Sequence, residues 1–383
     1  MDSIQICVIT SSRADYGLLV EPIKSFHNDP QIDCKLIVTG SHLSADFGNS
    51  YKEIEKDGFK IDARVEIEDS CDSVLDTLES MGKAVSKIGA QIFQFSPDWV
   101  LVLGDRYETL AAVQASLILN IPIIHLCGGD ITEGAFDDSI RHAITKLSHL
   151  HFATTEDSAK RIVQMGENPN SVIVAGSTGL DSLLRHRRMS SEEFGSSIGF
   201  NLKHKNILVT FHPVTTDVDR GLKQLRELVS ALESTNPEYG IIITKPNSDP
   251  GNKDFLQELE DFIARRQNTI MIASLGSLLY ANALMHCDAV VGNSSSGLYE
   301  APSMGIPTVN IGDRQKGRIL ATSVLSVDAN HDAILAGIKT ALSRGRVITE
   351  NPYGNGNATQ IILSTIKKFE NPKTLLKKNF HHA

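Results

Sequence analysis

The sequence predicts an α/β chain built as two doubly wound domains facing a cleft, and three observations predict it. Short β-branched runs alternate with longer helical segments through both halves of the chain. Polar and glycine-rich turns close those runs, where ligands of an open parallel sheet usually bind. At 383 residues the chain also exceeds what one hydrophobic core usually organises, so a cleft between two domains is the expected binding site.

The strand signals of the first half are Ile4–Ile9, Lys35–Val38, Trp99–Leu103, Ile121–His125 and Val172–Val174. They are nearly continuous apolar runs, as strands covered on both faces of a parallel sheet should be. Between them, Thr109–Leu119 and Ser139–Leu150 carry helical spacing. A first Rossmann-like domain is therefore expected over 1–184. A polar, basic stretch over 185–205 reads as a linker, and the alternation restarts with Ile207–Thr210, Ile241–Thr244, Thr269–Ile272, Ala289–Val291 and Thr308–Asn310. These define a second Rossmann-like domain over 206–357. The remainder, 358–383, reads as a helix over Ala358–Phe369 and a Lys-rich tail that is mobile or a packing extension.

Composition excludes several classes of function. Hydrophobic residues at 41% and charged residues at 22% are ordinary globular values, so disorder is not expected. A formal net charge of −9 argues against a nucleic-acid partner or an anionic membrane surface, which need concentrated positive charge. No apolar stretch approaches the roughly 20 residues that span a bilayer, and the first apolar run has no basic flank, so a cytoplasmic enzyme is expected. Five scattered cysteines without a CxxC pair suggest neither a disulfide framework nor a zinc site.

The turns after the strands carry the chemistry. After the first strand, Ser11-Ser12-Arg13-Ala14-Asp15-Tyr16-Gly17 puts Arg13 at the mouth of a helix, where backbone N–H groups favour an anion; a capped helix with a surface arginine is the plain alternative. Gly292-Asn293-Ser294-Ser295-Ser296-Gly297 leads into a predicted helix holding Glu300 and reads as a phosphate cradle, with a simple Ser/Gly turn as its alternative. It is neither a Walker loop nor GxGxxG. Glu300 can accept paired hydrogen bonds from ribose hydroxyls, and Arg314 can add positive charge. Four carboxylates are directed toward one sheet edge: Asp105 in Gly104-Asp105-Arg106, Asp130 in Gly128-Gly129-Asp130, and Asp137 and Asp138 at a helix start, where one of the pair serves equally well as an N-cap. His212 ends the first strand of the second domain and is expected to face that acidic edge as acid, base or phosphate donor. His125 and His142 read as structural.

Taken together, SSRADYG, LVLGDRYETLAA, GGDITEGAFDDSIRHAITKLSH, FHPVT, KPNSDPG, GNSSSGLYEAP and GDRQKGR resemble the hydrolysing UDP-N-acetylglucosamine 2-epimerases, in order, from Ser11 to about Asn357. The resemblance implies the two-domain GT-B-like fold and a UDP-sugar substrate; the already activated leaving group demands no cofactor and no metal, and symmetry favours a homodimer or higher homo-oligomer. It implies release of UDP and an N-acetylated mannosamine-type sugar for sialic or related nonulosonic acid synthesis. It makes Arg13 a diphosphate arginine, Ser294 and Ser295 phosphate-binding serines, Glu300 the ribose acid and Arg314 a substrate-side arginine. Ser296, Gly297 and Asn247 join the UDP-binding set. Asp105, Asp137 or Asp138, and His212 fall at catalytic positions. Many relatives place an acid where Cys127 stands here, and Asp130 is the expected substitute.

The expected chemistry explains the carboxylates. Loss of UDP from C1 gives oxocarbenium character that acidifies C2–H, and proton removal yields a 2-acetamidoglucal. Water then adds at C1 while a proton returns to the other face of C2, which calls for two acid/base groups. The expected reaction converts UDP-N-acetylglucosamine and water to N-acetylmannosamine and UDP, with the same reaction on the UDP-linked 2,4-diacetamido-2,4,6-trideoxy hexose as the alternative. A GT-B glycosyltransferase, a silent nucleotide-sugar sensor and a non-hydrolysing epimerase are the alternatives.

Overall fold

In the computed structural model, which describes residues 3–45, 48–67, 74–131, 136–214, 221–245 and 252–382, the first apolar run forms β1 (Ile4–Thr10). Its lack of alternation has a packing cause. Ile6 and Val8 pack with Leu19, Ile23 and Phe26 of α1 (Arg13–Asn28), whereas Cys7 and Ile9 belong to a cluster with residues of three other helices on the opposite face. Each such buried side chain contributes roughly 1.5–3 kcal/mol relative to exposure, so a polar residue on either face would be costly.

Residues 1–182 with 353–383 make one compact unit, and residues 183–352 make the other. The first unit holds a seven-stranded parallel sheet ordered β3-β2-β1-β4-β5-β6-β7. Its other strands are β2 (Ile32–Thr39), β3 (Ala63–Val65), β4 (Trp99–Leu103), β5 (Ile123–Leu126), β6 (Leu150–Ala153) and β7 (Val172–Val174). Helices α2 (Tyr51–Lys56), α3 (Val74–Phe95), α4 (Tyr107–Ile118), α5 (Phe136–Leu147), α6 (Glu156–Gln164) and α7 (Thr178–Arg185) connect them.

The second unit holds a six-stranded parallel sheet ordered β10-β9-β8-β11-β12-β13. Its strands are β8 (Asn206–Thr210), β9 (Gly240–Thr244), β10 (Thr269–Ile272), β11 (Ala289–Gly292), β12 (Thr308–Ile311) and β13 (Val324–Val327). Its helices are α8 (Ser191–Ile198), α9 (Leu222–Glu233), α10 (Asn252–Arg265), α11 (Gly276–His286), α12 (Ser296–Tyr299) and α13 (His331–Arg344), and α14 (Ala358–Ile366) follows in the chain. In each sheet the strand order reverses beside the first strand, between β1 and β4 and between β8 and β11. Those two switch points are where such sheets open a crevice at their carboxyl ends.

Two stretches, 185–205 and 139–150, differ from expectation, whereas the helix expected from Ala358 forms. The run 185–205 is not featureless: α8 buries Phe194, and Asn282 of α11 accepts the Met189 N–H at 2.8 Å. The helix α14 packs on α1, and the buried Asp181 carboxylate caps it by accepting the N–H groups of Ala358 (3.1 Å) and Thr359 (2.6 Å). The predicted helix over Ser139–Leu150 ends at Leu147, and Leu150 begins β6, whose buried His151 interrupts the apolar run that would have announced a strand. Cys7, Cys34 and Cys287 are buried, Cys127 is half-buried, and Cys71 lies outside the described residues. Among the described residues no helix is long and apolar enough to cross a membrane.

Candidate active site

At the first switch point the turn after β1 is held by Asp15. Ser12 is the N-cap of α1 and forms a reciprocal capping box with Asp15, whose carboxylate also accepts the Ser11 N–H at 2.8 Å and the Thr10 hydroxyl at 3.1 Å. His42 hydrogen-bonds Thr10 Oγ1 at 3.0 Å and Ser50 Oγ at 2.7 Å, and burial lowers its pKa toward the neutral imidazole. Arg13 is the first helical residue on this anchored turn. Its side chain is 59% exposed and donates to Glu53 Oε1 at 2.6 Å.

The neighbouring turn, after β4, carries Asp105. Gly104 takes φ +82°, a left-handed conformation suited to glycine, and its carbonyl accepts from His125 Nε2 at 2.8 Å. Burial lowers the His125 pKa to about 3, so the ring is a fixed neutral donor to this turn. Asp105 contacts the guanidinium of Arg141 on α5. Asp138 lies 3.9 Å from the same guanidinium and 3.4 Å from His142 Nε2. Asp137 stands beside them in the first turn of α5, and its carboxyl is pushed above the usual range, first by burial and then by the charge of Asp105. The structure therefore gathers Asp105, Asp137 and Asp138 around one arginine. Such a raised carboxyl is what a proton-transferring group needs.

Asp130 is placed differently. Its Oδ1 accepts the hydroxyls of Thr154 and Ser158, each at 2.6 Å, and Arg161 contacts the Gly129 carbonyl. Gly129 has φ +76°, and a Cβ there would stand 2.3 Å from the Ser158 carbonyl oxygen, so the turn presses directly on α6. Cys127 adopts φ +62°, and burial pushes its thiol pKa up.

At the second switch point Asn293 joins the two turns that follow β8 and β11. Its side chain accepts the His212 N–H at 2.7 Å and donates to the His212 carbonyl at 2.8 Å. Arg314 (3.1 Å) and Gln315 (2.8 Å) both donate to the Asn293 carbonyl. His212 Nδ1 is buried with no hydrogen-bond partner among the described residues, and burial followed by the charge of Arg314 lowers the ring pKa to about 4. A neutral imidazole with one idle nitrogen suits a hydrogen bond to an added group.

The serine turn departs from the predicted cradle in two respects. The helix that follows, α12, has four residues and gives way to a 3-10 turn at Ala301–Met304, because Pro302 cannot continue it. An anion there would depend on the hydroxyls and N–H groups of Ser294, Ser295 and Ser296 more than on a helix dipole, which needs a longer helix. Gly297 is small for packing: a Cβ would stand 2.7 Å from Thr308 Cγ2 on β12. Tyr280 OH contacts Ser296 Oγ. Glu300 Oε2 is buried with no hydrogen-bond partner among the described residues, and burial raises its pKa. A buried acceptor of this kind fits a diol donor. Asn247 lies outside the described residues.

Arg141, Asn293 and Tyr280 were not singled out as site residues by the sequence. Arg141 was within reach of that reading, since it lies four residues after Asp137 and three after Asp138 on one helix face. Asn293 depends on a contact 81 residues away in the chain, and Tyr280 on one made 16 residues on, across β11.

The profile of the UDP-N-acetylglucosamine 2-epimerase family matches residues 24–367. The chain is 36% identical over 370 residues to the UDP-N,N'-diacetylbacillosamine 2-epimerase (hydrolyzing) of Legionella pneumophila, covering 95% of each. It is 34% identical over 381 residues to the polysialic acid biosynthesis protein P7 of Escherichia coli, covering 98% of this chain and 97% of that one. In fold, it matches the crystal structure of UDP-GlcNAc 2-epimerase from Neisseria meningitidis bound to UDP-GlcNAc with a TM-score of 0.81 at 22% identity, over 96% of this chain and 100% of the other. The two-sheet α/β architecture is thus the GT-B-like one.

Proposed function

The chain belongs to the UDP-N-acetylglucosamine 2-epimerase family, and from that premise we propose that it is a hydrolysing 2-epimerase acting on a UDP-linked 2-acetamido sugar. The observation that carries the reading is the grouping of Asp105, Asp137 and Asp138 about Arg141, with the Asp137 carboxyl pushed upward. Nucleotide binding alone needs no such cluster.

The C1–O bond breaks first and its electron pair leaves with UDP. Arg13, Arg314, His212 and the hydroxyls of Ser294, Ser295 and Ser296 stabilise the departing diphosphate, and Glu300 takes the ribose hydroxyls. Asp105 and Asp138 stabilise the positive charge that develops on the sugar. The C2 proton passes to a carboxylate, and the C2–H electron pair forms the double bond of the glucal. Water then adds its hydroxyl at C1 and a proton returns to the opposite face of C2, giving a free manno-configured sugar. Asp137 serves one of these two proton transfers and Asp130 the other.

Of the two substrates left open by the sequence, the family description names N-acetylglucosamine, and the Legionella relative supports the 2,4-diacetamido sugar. We infer that the second is the preferred substrate, and that the product feeds synthesis of a nonulosonic acid. The test is a side-by-side assay of the two UDP-sugars with no acceptor present, following free UDP. Preferential UDP release from the diacetamido sugar is expected. A UDP-sugar product without free UDP would indicate a non-hydrolysing epimerase, and dependence on an acceptor would indicate a transferase.

A further inference from the structure

The site helix α5 is held at both ends, and its far end is gripped by residues that take no part in the chemistry above. Lys378 lies beyond α14, and its ammonium donates to the carbonyls of Lys146 (2.8 Å) and Ser148 (2.6 Å), at and just past the end of α5. It also lies 2.7 Å from Glu167 Oε2. Three acceptors thus meet the three N–H bonds of one ammonium. The two carbonyls belong to the negative end of the helix, where a cation is favoured.

Glu167 is 1% exposed and links this grip to the sheet. Besides Lys378 it accepts from Lys146 Nζ at 2.5 Å and from His151 Nε2 on β6 at 3.2 Å. Burial alone would raise its pKa, yet the hydrogen bonds from His151, Lys146 and Lys378 hold it down to about 2. The residues after Lys378 continue the contact. The His381 N–H donates to the Gly166 carbonyl at 2.9 Å, and the Phe380 ring lies under the Lys146 ammonium at 5.3 Å. It also covers Gly166 so closely that a Cβ there would stand 2.4 Å from the ring.

At its other end the same 12-residue helix presents Asp137, Asp138 and Arg141. A helix is stiff along its axis, rising about 1.5 Å per residue, so a shift at its last carbonyls is carried to its first turn. We propose that Lys378, backed by Phe380, is a positioning residue: it fixes the axial placement of α5 and thereby the register of Asp137 and Arg141 against Asp105. The segment 377–382 is then a strap on the site helix and touches no substrate.

This inference rests on the proposed reaction, so its test has a readout that does not need turnover. Lys378→Met is to be compared with the unaltered protein in steady-state kinetics, at a temperature well below unfolding, and in hydrogen exchange resolved to α5 and β1. Misplacement of reacting groups by about 1 Å can cost about 10²-fold, so a loss of at least about tenfold in kcat is expected, with KM changed less than about twofold. The α5 amides should exchange at least tenfold faster, with those of β1 unchanged. Equal kcat and equal α5 exchange would overturn the proposal, and so would a loss of stability with kcat preserved. If Lys378→Met does not fold, Phe380→Ala loosens the same segment from outside the buried ion cluster. About a threefold loss in kcat is expected from it, and no change in kcat or in α5 exchange would equally overturn the proposal. If the unaltered protein releases no UDP from either sugar, the reaction assignment fails, while faster α5 exchange in the variant would still show the strap.

Discussion

Asp105 and Arg141 meet as an ion pair across 36 residues of sequence, joining the turn after β4 to the first half of α5. The Arg141 side chain is 9% exposed, and this pair draws Asp137 and Asp138 into the same cluster. Arg141→Lys keeps the charge but loses the planar fork, so it separates placement from electrostatics. We expect kcat to fall at least about tenfold through misplacement of the carboxylates. Unchanged kcat would show that charge alone suffices.

Asp137 yields a prediction about pH. Its carboxyl is raised from 3.8 by burial and by Asp105, so the fold favours the protonated form. For a raised acid the stability contribution is fully present below the unfolded pKa, about 3.9, and is lost as pH rises through the higher folded value. Asp137→Asn removes that loss. The variant should therefore melt at a higher temperature than the unaltered protein at neutral pH, with the gap closing near pH 4 and with turnover reduced. Parallel melting curves at every pH would contradict the assignment.

Much of the fold was legible because its central strands are apolar on both faces. β1 and β4 announce themselves as unbroken runs, whereas β3 spans three residues with the exposed Arg64 at its centre and β6 carries a buried histidine. In the candidate site, the placement of Asp105 and His212 just past strand ends was legible, since β4 and β8 are unbroken apolar runs. The clamp of Asn293 on His212 was not, because the two lie 81 residues apart and meet only when β8 and β11 become neighbours. The brevity of α12 was within reach, since Pro302 cannot continue a helix through Glu300 and Ala301.

Binding of the nucleotide is tested at Arg13 and Ser294. Arg13→Ala removes a charged donor, typically about 1.5–3 kcal/mol, so the dissociation constant for UDP should rise about tenfold or more. Ser294→Ala should weaken UDP by less, since a neutral hydrogen bond contributes about 1 kcal/mol. Calorimetric titration with UDP measures both, and unchanged affinity for Arg13→Ala would remove that arginine from the diphosphate site.

For Asp130 the structure sharpens the comparison with Cys127. The amide oxygen of Asp130→Asn can still accept the Thr154 and Ser158 hydroxyls, so the fold should persist while proton transfer is lost. A loss of about 10²–10⁴-fold in kcat is expected, the usual contribution of a general acid or base, and Cys127→Ser should cost far less. Substantial activity in Asp130→Asn would assign the carboxylate to anchoring the turn on α6. An inactive Cys127→Ser beside an active Asp130→Asn would transfer the role to the thiol position.

The central claim is elimination followed by hydration, and isotope content at C2 tests it most directly. The purified protein is to be incubated with UDP-N-acetylglucosamine and with its 2,4-diacetamido analogue in heavy water, and the free sugar analysed by mass and by proton resonance. The account predicts a manno-configured product carrying one deuterium at C2, formed together with free UDP. A product with protium at C2 would contradict it.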